Sequence, residues 1–589
     1  NITISGTTKN SPPLVFVKIP FLGTCIPLLV VFRYLGVDDA SQVCGMIVGP
    51  TSSAGLCNLV RTVLGNDSSE TAGMNQEQLL DWISQLGSEA RVDRKKRQTA
   101  QHIFNNEFFP HCEGDAGDLD RQRAYYLAFC VRKLVQVYIG ELSPDDKDSF
   151  INKRARPTGS LMALLTRALY RGSLKHTRAH IYRCVKHGKA INAASVFSLR
   201  SVTNGFRFAF RTGNWGVQKG QNQAGTCQVL NLTNLPARLS HLRQVNTPVN
   251  RESKSTDPRQ LHPSHWGILC AAETPEGRSA GLLSSLAVLA RIRVGTPAHL
   301  VLRILKEDLG VQGFHKEWDG RDTMVLLNGV IIGFTEDPEE LAREYRRYRA
   351  WHCVPIDSSV AFKPRLNHMC IDVEGEDIFR PLFRVEHFHR LPEIFALYKD
   401  HPHLLWNQLL IEGVLENINK EEEATLPLIA IRYSDLLLLS PPKEKRAAYS
   451  HLELHPSFTL HGVSAGLIPF SNHNQAPRNI YQSAMLKQAV PNKAVDFATR
   501  LENKTTFLTH PQRPIVTTWT QDLIEVGCTG QVALVAIQCI TGYNQEDSIL
   551  INKASVERGF MQTAWCKTYR DSETAQSTDK ERFEVCPED

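Results

Sequence analysis

The chain has 589 residues, 42% apolar and 22% charged, with 67 Lys and Arg against 61 Asp and Glu for a net charge of +6. At roughly 150 residues per domain it should fold as about four units, each with its own core. That excludes a peptide, a small disulfide scaffold and a disordered or collagen-like chain, and +6 over so large a surface does not by itself mark a partner for polyanions.

The 14 cysteines, among them Cys25, Cys44, Cys57, Cys112 and Cys130, are scattered without a C-x-x-C pair. No zinc ribbon or finger is therefore expected, and they read as reduced, mostly buried thiols of an intracellular protein. The apolar run Ile19 to Val37 is interrupted by Pro20, Pro27 and Arg33. It reads as a core strand or helix rather than a membrane span or signal peptide. A first residue Asn1 and a last residue Asp589 that closes no obvious element suggest a fragment.

No repeat, low-complexity tract or long heptad run occurs. Apolar residues recur at three and four from Asn75 to about Phe109 (Leu79, Leu80, Ile83, Leu86) and from Arg121 to Tyr138 (Tyr126, Leu127, Cys130, Leu134). The spacing predicts amphipathic helices, so the first third is expected to be mainly helical. The run Arg91 to Arg97 reads as a solvated helix face. After Gly205, the short β-branched segments Val301 to Leu305, Thr323 to Phe334 and Val532 to Cys539 predict strands. Arg346 to Arg349 and Glu421 to Glu423 read as surface helix faces.

No P-loop, H-E-x-x-H or G-x-S-x-G occurs, and the chemistry concentrates in four polar clusters. The first, Arg238 to Pro248 with the polar turn Asn250 to Arg259, would project Arg251, Lys254 and Arg259 from a loop; it suits a phosphate backbone and a plain solvated turn about equally. The second joins Leu261 to Gly267 with Ala272 to Gly281, where Glu273 and Glu276 read as the acidic start of a helix. His262 and His265 there have no third metal ligand in sight. In the third, His473 to Gln488, a helix starting near Pro477 would place Arg478, Tyr481 or Gln482, and Met485 on neighbouring turns, a surface able to hold a triphosphate and a sugar. In the fourth, Gly542 to Ser548, the Glu546-Asp547 pair sits between two apolar strands, where hard oxygen ligands suit Mg²⁺, although such a pair alone is more often structural.

The stretches QVLNLTNLPARLSHLRQVNTP, LHPSHWGILCAAETPEGRSAGL, HNQAPRNIYQSAMLKQA and GYNQEDSILINKASVERG, in this order and spacing, resemble the second-largest subunit of multisubunit DNA-directed RNA polymerase, of the RNA polymerase II type. IPLLVVFRYLGV and TGNWG at Thr212 to Gly216 extend the likeness over essentially the whole chain. The family's later segments, including its Gly-Gln-Lys-Gly lysine and cysteine zinc site, have no counterpart here. The resemblance implies a mixed α/β multidomain fold: lobe 1–120, second part of the protrusion 121–204, fork 205–282, external domains 283–370 and 371–450, first part of the hybrid-binding region 451–565, and start of the wall 566–589. Lobe and protrusion would be mainly helical and the rest richer in strands.

The resemblance also implies roles. Glu546 and Asp547 match an acidic pair near a second, nucleotide-borne Mg²⁺, and Arg478 a residue that approaches the triphosphate. Tyr481, Gln482, Lys487 and Gln488 match the pocket and hybrid-facing surface; Arg243 would lie near template and hybrid, and Arg251, Lys254 and Arg259 near the strand-separation point. The implied activity is two-metal nucleotidyl transfer with the largest subunit, which supplies the other carboxylates. The implied partners are that subunit, smaller polymerase subunits, DNA template, RNA–DNA hybrid and ribonucleoside triphosphates, with no membrane, in the nucleus or, for a large DNA virus, cytoplasm or virion. Leu486 and Val490-Pro491 stand where eukaryotic relatives carry Gly and Met-Gly, and Ala271 where Pro is customary, as in a divergent lineage. The alternative is a non-catalytic nucleic-acid-binding or assembly fragment of the same fold.

Overall fold

A computed structural model describes residues 1–5, 13–20, 22, 25–49, 53–66, 71, 73–87, 93–112, 116–190, 200–215, 225–313, 322–438, 449–491, 502–525, 527–573 and 583–585. Gly216, Arg91, Val92 and most of 566–589 lie outside them. The chain forms two units, Asn1–Pro157 with Arg291–His455, and Thr158–Ala290 with Pro456–Asp589, so each is built from two separated stretches. Both mix helices with small sheets.

The first unit opens with a three-stranded antiparallel sheet, Ile2–Ser5, Leu14–Lys18 and Cys25–Pro27. Pro27 then caps the helix Leu28–Tyr34, whose Leu28, Leu29, Val30, Val31 and Phe32 are fully buried. The apolar run is thus a core strand and helix, as its proline interruptions predict. Among the described residues no helix is long and apolar enough to cross a membrane. The periodic segment after Asn75 is two helices, Gln76–Gly87 and Asp93–Asn106, followed by Ala116–Tyr138. Within the Arg91 to Arg97 run only the Arg97 side chain is described, and it pairs with Glu77 (3.1 Å) and Asp81 (3.5 Å).

The 323–334 prediction becomes the hairpin Thr323–Leu327/Val330–Thr335, turned by Asn328 and Gly329, both at positive φ. Two residues at positive φ make a two-residue hairpin turn that matches the strand twist. Val301 to Leu305, by contrast, lies in the helix Ala298–Glu307. Pro297 caps it, and Val301 and Leu305 bury together at a spacing of four, a helical period that outweighs β-propensity.

The runs read as surface faces are for the most part drawn into buried ion pairs, although Arg347 stays exposed. Glu422 is fully buried, bonded to Arg349 at 2.9 Å and 3.0 Å and to Arg346 at 3.0 Å. Glu421 pairs with Lys363, and Glu423 with Arg380 and, at 2.8 Å, Lys420. Burial alone would disfavour the charge on Arg349, but Glu422 and Glu416 hold its pKa above the ordinary arginine value. The fourth group in this knot, His451, contacts Glu416 at 3.0 Å.

All described cysteines are free thiols. Burial pushes Cys112 and Cys130 up to about 11 and Cys370 to about 12, so they stay protonated and unreactive.

Candidate nucleic-acid and nucleotide interface

The second unit brings three of the four clusters together. Asn234 caps the helix Leu235–Leu242, accepting from the Ala237 amide at 2.8 Å. The same side chain donates to the Leu486 and Ala489 carbonyls, both at 2.9 Å. One buried amide therefore joins the first cluster to the end of the third-cluster helix, Ala476–Leu486. That helix begins as the sequence predicts, with Pro477 in its first turn. Asn479 and Ser483 face inward, while Arg478, Gln482 and Met485 are exposed and Tyr481 half-buried. The Arg478 guanidinium lies 5.5 Å from the centre of the Tyr481 ring, a cation–π pair that holds the charge at the surface. Leu486 has ordinary helical backbone, so nothing in the local chain path demands glycine there.

Glu273 does not start a helix. The chain after it enters the single turn Gly277–Ser279, capped by Glu276, while Glu273 itself is only 3% exposed. Its Oε1 accepts from Lys487 at 2.8 Å and from the Ser240 hydroxyl. Gly462 packs against the same carboxylate, where a Cβ would stand 3.1 Å from Oε2 and from the Leu286 carbonyl. Three separated segments thus converge on one carboxylate. Beside it opens a cleft of about 460 Å³ lined by Asn231, Thr233, Gln244, Thr274, Lys487 and Gln488, among others. Beside the Glu273 carboxylate and the apolar Pro275, Leu283 and Ala484, these amides, hydroxyls and one ammonium offer donors to phosphate, sugar and base edges.

Other predicted residues fall differently. Arg251 and Lys254 are exposed on their turn, but Arg259 does not project. Its guanidinium donates to the Arg278 (2.7 Å), Ala280 (2.9 Å) and Arg251 (2.8 Å) carbonyls, clamping the turn. Gly281, at positive φ, permits this closeness, because a Cβ there would stand 2.3 Å from the Arg259 carbonyl oxygen. Arg243 likewise donates to the Ala287 (2.6 Å), Val288 (3.3 Å) and Ala290 (2.9 Å) carbonyls. His262 and His265 cap each other across the turn Pro263–His265, and among the described residues no three His, Cys, Asp or Glu side chains are placed to hold a metal.

Glu546 and Asp547 are exposed on a turn, both at positive φ, and not between strands. Val532 to Cys539 pairs with no strand among the described residues, and Leu534 and Ile537 are fully exposed. The apolar, β-branched composition is present, but among the described residues the sheet that would use it is not. Among the described residues no ion pair links Glu546 or Asp547 to Arg478 or Lys487.

Family models of RNA polymerase Rpb2 match four stretches: domain 2 at 7–156, domain 3 at 228–292, domain 4 at 325–386 and domain 6 at 464–589. The last two of the four clusters lie in the domain 6 match, and the first and second in the domain 3 match. The chain belongs to the Rpb2 family, the second-largest subunits of multisubunit RNA polymerases. It is 35% identical over 576 residues to DNA-directed RNA polymerase II subunit 2 of Arabidopsis thaliana, covering 95% of this chain and 48% of that protein. With RPB2 of Encephalitozoon cuniculi it shares 33% over 583 residues (97% and 50%), and with Rpo2 of Saccharolobus shibatae 31% over 609 (99% and 50%). The chain spans about half the length of these relatives.

Proposed function

We propose that this chain forms one side of the nucleotide and hybrid site of a DNA-directed RNA polymerase, and takes part in template-directed nucleotidyl transfer with the largest subunit. The observation that carries this reading is that Rpb2-family segments far apart in sequence are tied together, by Asn234 to the Leu486 and Ala489 carbonyls and by Ser240 and Lys487 to Glu273, beside one cleft that Glu273 and Lys487 line. The same reading takes the domain order from lobe to wall, the smaller polymerase subunits as partners and a nuclear location, which the family likeness and its eukaryotic members support.

In this reading Lys487 and Gln488 line the floor on which the hybrid end and sugar rest. Glu273 positions the Lys487 ammonium, and Ser240 satisfies the same carboxylate oxygen. Arg478, kept at the surface by Tyr481, places a fixed cation toward the triphosphate, where charge develops as pyrophosphate leaves. Glu546 and Asp547 supply hard oxygen donors, too few for the octahedral shell of Mg²⁺, so they fit an ion that arrives with the nucleotide and shares ligands with another chain. Such an ion neutralises phosphate charge when bound. Arg243 and Arg259 act as clamps that fix the surfaces on which Arg251 and Lys254 meet the nucleic acid.

In a polymerase reconstituted with this chain, E546A/D547A should lower the nucleotide-addition rate by about 10²-fold or more, with template affinity within about twofold. Unchanged elongation at limiting Mg²⁺ would sink the assignment. The unpaired apolar run at 532–540 favours one alternative, a nucleic-acid-binding or assembly piece; in that case the variant would leave nucleotide addition unchanged while assembly depends on Leu534 and Ile537.

A further inference from the structure

A four-stranded sheet of the first unit sets Thr323–Leu327 beside His368–Asp372 as parallel neighbours, with the helix Pro338–Ala350 in the connection between them. Parallel strands deliver their carboxyl ends to one edge, the edge at which open α/β sheets take their ligands. There Asn328 and Gly329 follow one strand and Glu374 to Glu376 the other, and a cavity of about 390 Å³ opens among them. The Asn328 side chain fixes this wall by accepting from the Val373 amide at 2.8 Å and the Glu374 amide at 3.2 Å. Gly375 is pressed against Gly295, where a Cβ would stand 2.7 Å from the Gly375 nitrogen, and this pins the turn.

Six charged side chains line the cavity: Arg154, Arg293, Asp372, Glu374, Glu376 and Glu421. Arg293 lies 3.3 Å from Asp377, and Lys363 answers Glu421. Arg154, 3.4 Å from Asp372, is then left alone against Asp372, Glu374 and Glu376. Among the described residues no cation lies within ion-pair distance of Glu374 or Glu376, and Glu376 occupies its place at φ +77°, where a side chain is disfavoured. The cavity is therefore short of positive charge. A second observation concerns the opposite group. Arg293 is 1% exposed and donates from Nε to the Asp357 carbonyl at 2.6 Å, but its Nη1 has no hydrogen-bond partner, although buried donors are nearly always paired. A ligand that suits this lining brings both a cation and an acceptor. Among the described residues no three His, Cys, Asp or Glu side chains are placed to hold a metal, and a polyamine supplies cations without an acceptor. A basic residue within a polypeptide carries both, an ammonium or guanidinium at the end of its side chain and a main-chain carbonyl at the other.

We propose that this cavity is a docking pocket for a lysine or arginine side chain of another polypeptide. The cation enters among Asp372, Glu374 and Glu376, and the carbonyl of the docked chain accepts from Arg293. Charge pairing in a partly enclosed cavity selects basic side chains over apolar ones of the same length. The pocket belongs wholly to the first unit, so the proposal does not depend on the catalytic reading and is measured as binding.

The test uses the 589-residue chain and ligand-observed saturation-transfer NMR at neutral pH and low salt. The probes are N-acetyl-lysine methylamide, N-acetyl-arginine methylamide, N-acetyl-norleucine methylamide and n-pentylamine. At least one of the two basic amides should bind saturably, with a Kd of about 1 mM or tighter. The norleucine amide keeps the carbonyl without the cation, and pentylamine keeps the cation without the carbonyl; each should bind about tenfold more weakly or less. E374Q/E376Q should weaken the basic amide roughly tenfold, and Asp372→Asn, which alters a different wall, should weaken it as well. A matched control, E339Q/E340Q, removes the same charge from exposed positions of the first unit and should stay within about twofold. Circular dichroism of each variant shows that it is folded. Absence of saturable binding by both basic amides, norleucine or pentylamine binding as tightly as they do, or equal losses in E374Q/E376Q and the control would each overturn the proposal.

Discussion

The same residue types meet opposite fates in two regions of this molecule. In the first unit Arg346, Arg349, Lys363, Arg380 and Lys420 are answered by Glu416, Glu421, Glu422, Glu423 and Glu453, and much of that charge is buried. In the second, Arg167, Arg171, Lys175 and Arg178 stand exposed in a stretch without a single carboxylate. A charged run therefore says little until opposite charge is sought elsewhere in the chain. Where it exists the run can be interior structure, and where it is missing the run stays at the surface.

The largest test of this contrast is Glu422→Gln. Arg349 is 3% exposed, so withdrawing a carboxylate leaves a buried guanidinium undercompensated, and the first unit should lose ~3–5 kcal/mol. Denaturant unfolding monitored by hydrogen exchange in 415–423 reads the loss. A double replacement, R349M/E422M, should recover part of it, because buried ion pairs give little net stability over apolar packing. A loss below ~1 kcal/mol for Glu422→Gln would mean the knot is wet and its burial immaterial.

A smaller effect is expected at Asp372, in the same unit. Burial, then the nearby Glu421 charge, raises its pKa to about 6, with Arg154 at 3.4 Å and Arg293 opposing and Asp377 adding to the rise. Unfolded aspartate titrates near about 3.9, so between these values the folded state binds the extra proton. Stability from this group is therefore full below pH ~4 and is lost as pH rises through ~6. Asp372→Asn should remove that decline and raise stability above pH 6 by roughly 2–3 kcal/mol. Unfolding free energies at pH 4.5 and 7.5 check it, and the wrong sign at pH 7.5 would show that the Arg154 pair outweighs burial.

Much of the second unit's site was legible in its residues. Pro477 announced the helix start, and the periodicity after it put Arg478, Gln482 and Met485 outward because helical spacing is local. Arg259 reads as a cation projecting from its loop, yet its guanidinium is spent on carbonyls, as is that of Arg243, since a loop sequence does not reveal which backbone groups it leaves unsatisfied. The Glu273–Lys487 contact spans more than two hundred residues, and no local pattern encodes it. Val532 to Cys539 shows the reverse failure: the strand pattern is plain, but a strand needs a neighbour, and none is present among the described residues.

The smallest effect cuts closest to the contrast. Arg171 has Arg167 four residues before it and Lys175 four after, two like-charge neighbours on an exposed face. Arg171→Glu replaces both repulsions with attractions and should stabilise the helix by ~0.5–1 kcal/mol, at a few tenths per pair. Thermal unfolding at low and at high salt reads it, and the gain should shrink as salt screens the pairs. A gain that salt leaves unchanged would come from something other than these charges, whereas a screened gain means that this exposed stripe, unlike the buried knot of the first unit, keeps a repulsion that its own fold does not relieve.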